Sequence, residues 1–242
     1  MKCFSKTDIG LVRSENQDRV CTAVLADDVT FAVICDGMGG ERAGKEASSI
    51  AINEFFQRFS DGYSESLTED DIRKLLISSM SAANSVIYTR ARMDFKNFGM
   101  GTTCVAAFVT DDTAYIANVG DSRAYLIADN GLYCITTDHN VASLLYEQGK
   151  ITEEEMAVHP QKHMLTRAVG VEKTVLTDTF LLTYEDKISL LLCSDGLSGY
   201  CSDDEIYDVL SQTDFDSAAT SLIELALNKG GRDNVTVAVV NS

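Results

Sequence analysis

Residues 102–128 read TTCVAAFVTDDTAYIANVGDSRAYLIA, and the fold follows from them. Three apolar segments, 102–110, 113–119 and 123–128, are separated only by short polar turns. A parallel sheet needs long crossovers between successive strands, so these three must be antiparallel. Like FAVIC at 31–35, ISLLLC at 188–193 and VTVAVV at 235–240, they are continuously apolar rather than strictly alternating. Antiparallel strands of that kind need cover on both faces. Two sheets packed together, each with helices on its outer face, meet both conditions, so we expect an α+β fold with mostly antiparallel sheets.

The flanking segments fit this plan. Strands are expected at 20–25 and 29–36, joined as a hairpin at Asp27-Asp28. A helix after the glycines at 37–40 should bury Ala47, Ile50, Ala51, Phe55 and Phe59. A second, starting near Thr68, should bury Ile72, Leu75, Leu76, Met80, Ala83, Val86 and Ile87. Strands are expected at 175–183, 187–194 and 235–241, with two helices before the last strand, the first opened by the capping box Ser202-Asp203-Asp204-Glu205. Residues 139–164 are polar, acidic and helical in short pieces, with Glu153-Glu154-Glu155 after Thr152 and a break at His159-Pro160. They read as an insertion beside the site.

The chain has 242 residues and one proline, and no Pro-, Gly- or Ser-rich stretch interrupts it, so residues 1–242 read as a single domain. Twenty Lys and Arg against thirty-seven Asp and Glu give a net charge of −17. Such a surface repels nucleic acid and anionic membranes and gathers divalent cations. The N-terminus MKCFSKTDIG is no secretory signal, and no apolar run approaches a membrane span, so a cytoplasmic location is expected. The seven cysteines are odd in number and lack Cys-x-x-Cys spacing, which fits reduced thiols. Without a coiled-coil pattern, a monomer is expected.

Four aspartates end or follow apolar runs: Asp36 in VICDGMGG, Asp121 in IANVGDSR, Asp195 in LLLCSDGL and Asp233 in GGRDNVTVAVV. Carboxylates brought to one edge of a core repel one another and are tolerated when cations sit between them. Oxygen ligands of this kind suit magnesium or manganese, and the glycines after Asp36 let a carbonyl such as that of Gly37 join the ligand set. Other chemistries fit less well. Residues 39–45 match a P-loop through Lys45, but Glu46 stands where Ser or Thr must hold magnesium. No cysteine has an arginine six positions on, and no Gly-x-Ser-x-Gly occurs. His159 and His163 have a zinc-like spacing that Pro160 spoils, and His139 reads as a polar residue at a pocket edge. Arg13, before a polar turn, is the candidate phosphate clamp.

In order, Arg13-x-x-Asn-Gln-Asp18, Asp36-Gly-Met-Gly-Gly40, Gly101-Thr-Thr103, Val119-Gly-Asp-Ser-Arg-Ala-Tyr125, Asp138-His139, Leu165-Thr-Arg-Ala-Val-Gly170, Ser194-Asp-Gly-Leu197 and Asp233-Asn-Val-Thr236 resemble the protein phosphatase 2C family, in its bacterial branch. The resemblance implies a four-layer α/β/β/α sandwich and a metal-dependent serine/threonine phosphatase with two manganese or magnesium ions, and a third in some members. It implies Asp36 bridging the ions, Asp195 and Asp233 completing one site, the Gly37 carbonyl in the other and Asp121 at the third. Arg13 would hold the phosphate, Asp18 would orient water, and Gln17 and Asn234 would stand beside the ligands. Many relatives carry histidine where Met38 stands and glutamate where Gln17 stands, and residues 140–164 correspond to their flap. Phosphorylated proteins and an opposing serine/threonine kinase are the implied partners, and a non-catalytic phosphoprotein-binding protein is the alternative.

Overall fold

The computed structural model describes residues 1–26, 29–185 and 187–242. Its strands up to the first helix are β1 (Lys2–Asp8), β2 (Arg19–Ala26), β3 (Val29–Cys35) and β4 (Gly37–Met38). Helices α1 (Glu41–Gly62) and α2 (Glu69–Met93) follow, then β5 (Gly101–Thr102), β6 (Cys104–Val109), β7 (Thr113–Val119), β8 (Arg123–Ala128) and β9 (Gly131–Cys134). Two short helices, α3 (Val141–Glu147) and α4 (Glu153–Ala157), lead to β10 (Asp178–Thr183) and β11 (Ser189–Cys193). The chain ends with α5 (Asp195–Ser198), α6 (Asp203–Gln212), α7 (Phe215–Asn228) and β12 (Val235–Asn241).

One sheet has the order β1-β12-β11-β8-β9 and the other β10-β7-β6-β3-β2, with every pairing antiparallel. The continuous apolar runs are explained by what covers each face. On β3, Phe31, Val33 and Cys35 pack against α1 and α2, while Ala32 and Ile34 point to the second sheet and meet a core that includes Leu190, Leu192 and Ala238. On the far side, Leu191, Cys193, Val237 and Val239 pack under α7. The result is the expected sandwich: helices, sheet, sheet, helices.

Thr68, Thr152 and Ser202 each close a capping box at a helix start, satisfying backbone N–H groups that have no partner within the helix. The buried stripe of α2 is narrower than expected: Ile72, Leu76, Met80, Ala83 and Ile87 are buried, but Leu75 is half-buried and Val86 is exposed at the stripe's flank. The strand expected from 175 begins at Asp178, and that expected over 187–194 spans Ser189–Cys193. Among the described residues, β1, β9 and the two-residue β4, which pairs with β5, escaped the sequence reading. Both β1, KCFSKTD, and β9 lie at sheet edges, where one free side permits polar sequence. The hairpin expectation holds in the β2–β3 pairing, but its Asp27-Asp28 turn lies outside the described residues.

The insertion stands on pinned ends. Asn140 and Leu165 form an isolated bridge, and the Thr166 N–H donates to the His139 carbonyl. The chain turns at 159–162 through the Lys162 N–H to the His159 carbonyl.

Phe31 is fully buried, its ring centroid 5.0 Å from that of Phe59 and 5.9 Å from that of Phe55. Phe31→Ala should therefore cost about 3–5 kcal/mol in urea unfolding; a loss below about 1 kcal/mol would show that this cluster does not hold α1 to the sheet.

Candidate active site

The site lies where strands from both sheets end. Asp36 follows β3, Asp121 sits in the β7–β8 turn, Asp195 follows β11 by two residues, and Asp233 comes just before β12. All four line one pocket of about 620 Å³ together with Arg13, Gly37 and His163. Hydrogen bonds set the strand ends. The Asp36 N–H donates to Thr103 Oγ1 at 2.9 Å, and the Asp36 carbonyl accepts the Thr103 N–H at 2.8 Å and the Thr102 hydroxyl at 2.7 Å. Thr103 and Ser122 hydroxyls meet at 2.7 Å, which ties Asp36 to the Asp121 turn. Gly37 permits close packing: a Cβ there would lie 2.1 Å from the Gly44 carbonyl oxygen of α1, so no side chain fits.

Burial, with carboxylate crowding added to it, governs the charges of this pocket. Burial, and then the Asp18, Asp195, Asp121 and Asp233 carboxylates, push Asp36 well above the usual carboxylate range. Burial and Asp195 do the same to Asp121. Behind the pocket, Asp18 is wholly buried and pushed up to about 6, chiefly by burial. Its Oδ2 accepts the Ser194 and Thr236 hydroxyls, both at 2.7 Å, while Oδ1 finds no hydrogen-bond donor, and the charge of Asp195 adds to the rise. Buried carboxylates with too few donors are what divalent cations neutralise, so the donor set fits hard cations. Among the described residues no three His, Cys, Asp or Glu side chains form a ready ligand group for one ion. Magnesium-like ions take one or two carboxylates and complete their shells with water, which agrees with ligands spread around a pocket.

Two side chains, Arg13 and His163, meet this acidic rim. Arg13 Nη2 lies 2.6 Å from Asp233 Oδ2 with the Arg13 side chain more than half exposed. Asn234 fixes the loop that carries Arg13: its Oδ1 accepts the Gln17 N–H at 2.8 Å, and its Nδ2 donates to the carbonyls of Ile9 at 2.9 Å and Glu15 at 3.0 Å. Gly10, at φ 79°, makes that approach possible, since a Cβ would come within 2.2 Å of the Asp233 carbonyl. Gln17 Nε2 donates to the Gly40 carbonyl at 3.1 Å. His163 Nδ1 lies 3.4 Å from Asp195 Oδ2, and that carboxylate raises the histidine's proton affinity.

Sequence reasoning missed His163 as a pocket residue, because its partner Asp195 is distant in sequence and reached only through the flap. It misplaced His139. That ring is buried, not at the pocket edge: its Nδ1 accepts the Gly120 N–H at 3.0 Å, and Nε2 lies 3.0 Å from Asp178 Oδ2. Nδ1 accepts, so the neutral ring carries its proton on Nε2 and donates to Asp178. Asp18 stands behind Asp36 and not in the pocket wall, as a residue behind the ligands would.

Residues 12–235 match the family described as Protein phosphatase 2C. The serine/threonine phosphatase stp of Listeria welshimeri is 38% identical over 241 residues, covering 97% of this chain and 93% of its own. The crystal structure of Stp1 from Staphylococcus aureus superposes with a TM-score of 0.91 at 35% identity, covering 98% of this chain and 93% of that one. The catalytic domain of the phosphatase PstP, in complex with two manganese ions, superposes with a TM-score of 0.82 at 32% identity, covering all of this chain and 97% of that one.

Asn234→Ala removes three hydrogen bonds and should cost about 2–3 kcal/mol of stability; urea unfolding with a change below about 0.5 kcal/mol would refute that role. His139 is held neutral by burial against the pull of Asp178, with Arg167 opposing protonation. Its proton affinity is lower folded than unfolded, so its contribution is full above about 6.5 and is lost as pH falls below that value. Stability measured against pH should therefore fall more steeply for the wild type than for His139→Gln between pH 7.5 and the acid limb; parallel profiles would overturn this.

Proposed function

The chain belongs to the protein phosphatase 2C family and is a serine/threonine protein phosphatase, and we propose that this pocket hydrolyses phosphoserine and phosphothreonine in proteins with two divalent cations, manganese or magnesium. The observation that carries this is the convergence of Asp36, Asp121, Asp195 and Asp233, from four separate strand ends, on one pocket with Arg13 at its rim. Asp36, Asp195, Asp233 and the Gly37 carbonyl would hold the two cations, with Asp121 at a third site. Bound there, the cations supply Lewis acidity and a water acidic enough to attack near neutral pH.

The chain's own groups do the rest. Arg13 exchanges its partner Asp233 for the phosphate, presenting a guanidinium fork to equatorial oxygens on which charge builds in the transition state. Asp18, held by the Ser194 and Thr236 hydroxyls, stands behind Asp36 and would orient water from there. Met38 has no proton to give, so the proton for the departing serine or threonine oxygen comes from another group.

The whole chain reads as one phosphatase domain, acting as a monomer on phosphoproteins in a bacterial cytoplasm against a serine/threonine kinase. In support, no helix among the described residues is long and apolar enough to cross a membrane. A non-catalytic role finds no support, since none of the acidic ligands or Arg13 is missing.

Turnover of p-nitrophenyl phosphate and a phosphothreonine peptide should require manganese or magnesium and vanish in excess chelator. Asp36→Asn should lower kcat by at least about a thousandfold, and Arg13→Ala should lower kcat/KM by about ten- to a hundredfold. Chelator-resistant turnover, or full activity of Asp36→Asn, would overturn the assignment.

A further inference from the structure

Next to the phosphate pocket lies a second groove of about 580 Å³, and the two share Asp121, His163 and Asp195. One wall is the flap, α3 and α4; the other is formed by β8, β9 and the start of α6. Anything held in the first pocket as part of a polypeptide can continue into the second.

The groove is chemically two-sided. Met156 and Ala157 of the flap, with Ala142 beneath them, give it an apolar lining. Three carboxylates reach it without a cationic partner among the described residues: Glu147 at the end of α3, Glu153 at the start of α4 and Asp203 at the start of α6. Asp203 takes only the Tyr125 hydroxyl, at 3.2 Å.

Of the cations in the lining, Arg123 is already paired with a carboxylate, whereas Lys162 meets only a neutral carbonyl. Arg123 donates from Nε and Nη2 to the two oxygens of Asp138, each at 2.8 Å, and from Nη1 to the Tyr125 oxygen at 2.9 Å. Lys162 Nζ donates to the Ala157 carbonyl at 3.3 Å. An apolar floor with unpaired carboxylates around it matches a side chain with an aliphatic stem and a cationic head. Acidic or purely apolar side chains would meet repulsion or leave the carboxylates unpaired.

We propose that this groove is a subsite for a lysine or arginine that flanks the phosphorylated residue of the protein substrate, with Glu147 and Glu153 holding its charged head. The inference rests on the phosphatase reading above. It makes the flap a specificity element that reads charge while the metal pocket handles the phosphate.

The test uses a phosphothreonine peptide series with arginine, alanine or glutamate at each of the four positions on either side, assayed at low ionic strength beside p-nitrophenyl phosphate. At one or more positions arginine should raise kcat/KM over alanine by roughly two- to fivefold, the size expected of exposed ion pairs, and glutamate should lower it. Glu147→Lys with Glu153→Lys should abolish or invert that preference while p-nitrophenyl phosphate turnover stays at the wild-type level. The milder Glu147→Gln with Glu153→Gln should reduce it, which keeps the test valid if the charge reversal disturbs the flap. Wild-type turnover with no charge preference, or a preference that survives both double variants, overturns the groove and leaves the phosphatase reading intact. Absence of p-nitrophenyl phosphate turnover by the metal-loaded wild type overturns that reading, and the groove with it.

Discussion

Repulsion among carboxylates is the constraint on which the rest of this molecule depends. Asp36 is half-buried among Asp18, Asp121, Asp195 and Asp233, and each neighbour makes its ionised form harder to hold. Such an arrangement persists only where a rigid scaffold imposes it and cations can relieve it. The sandwich supplies the rigidity. Three layers of apolar packing, helices on sheet, sheet on sheet and sheet on helices, fix the strand ends from which the aspartates project.

The two sheets are also joined by polar contacts at the site itself. Asp18 belongs to the lead-in to β2, in one sheet, yet its carboxylate accepts hydroxyls from Ser194 and Thr236, at the ends of β11 and β12 in the other. Thr103 and Ser122 link the Asp36 and Asp121 segments in the same manner. These hydroxyls are buried and satisfied, so they hold register where packing alone would let the sheets slide. The flap has no comparable support. Its helices are short and much of it is exposed, with its ends pinned by the Asn140–Leu165 bridge, which suits a part that meets variable substrates.

Much of this was legible in the chain. The strand runs, the capping box at Ser202 and the positions of all four aspartates were visible because each is a local pattern, written in residues close together in sequence. What escaped was whatever depends on one exposed side or on distant partners. Edge strands β1 and β9 carry no apolar run because water satisfies their free side. His139 looked like a pocket residue beside Asp138, but its Nδ1 is committed to Gly120 and its Nε2 to Asp178, thirty-nine positions away.

The sequence by itself determined the layer architecture and the residue types of the site. Apolar run length decides how many faces a strand must bury, and carboxylates placed at the ends of such runs need cations. Only the tertiary structure decided which side chains share a pocket. It put Asp18 behind Asp36, turned His163 towards Asp195, buried His139 and set the flap's unpaired glutamates along a groove that opens from the phosphate site. Those outcomes rest on contacts between segments up to 218 residues apart, and no local pattern records how two sheets will be stacked or which hydroxyl a buried carboxylate will find.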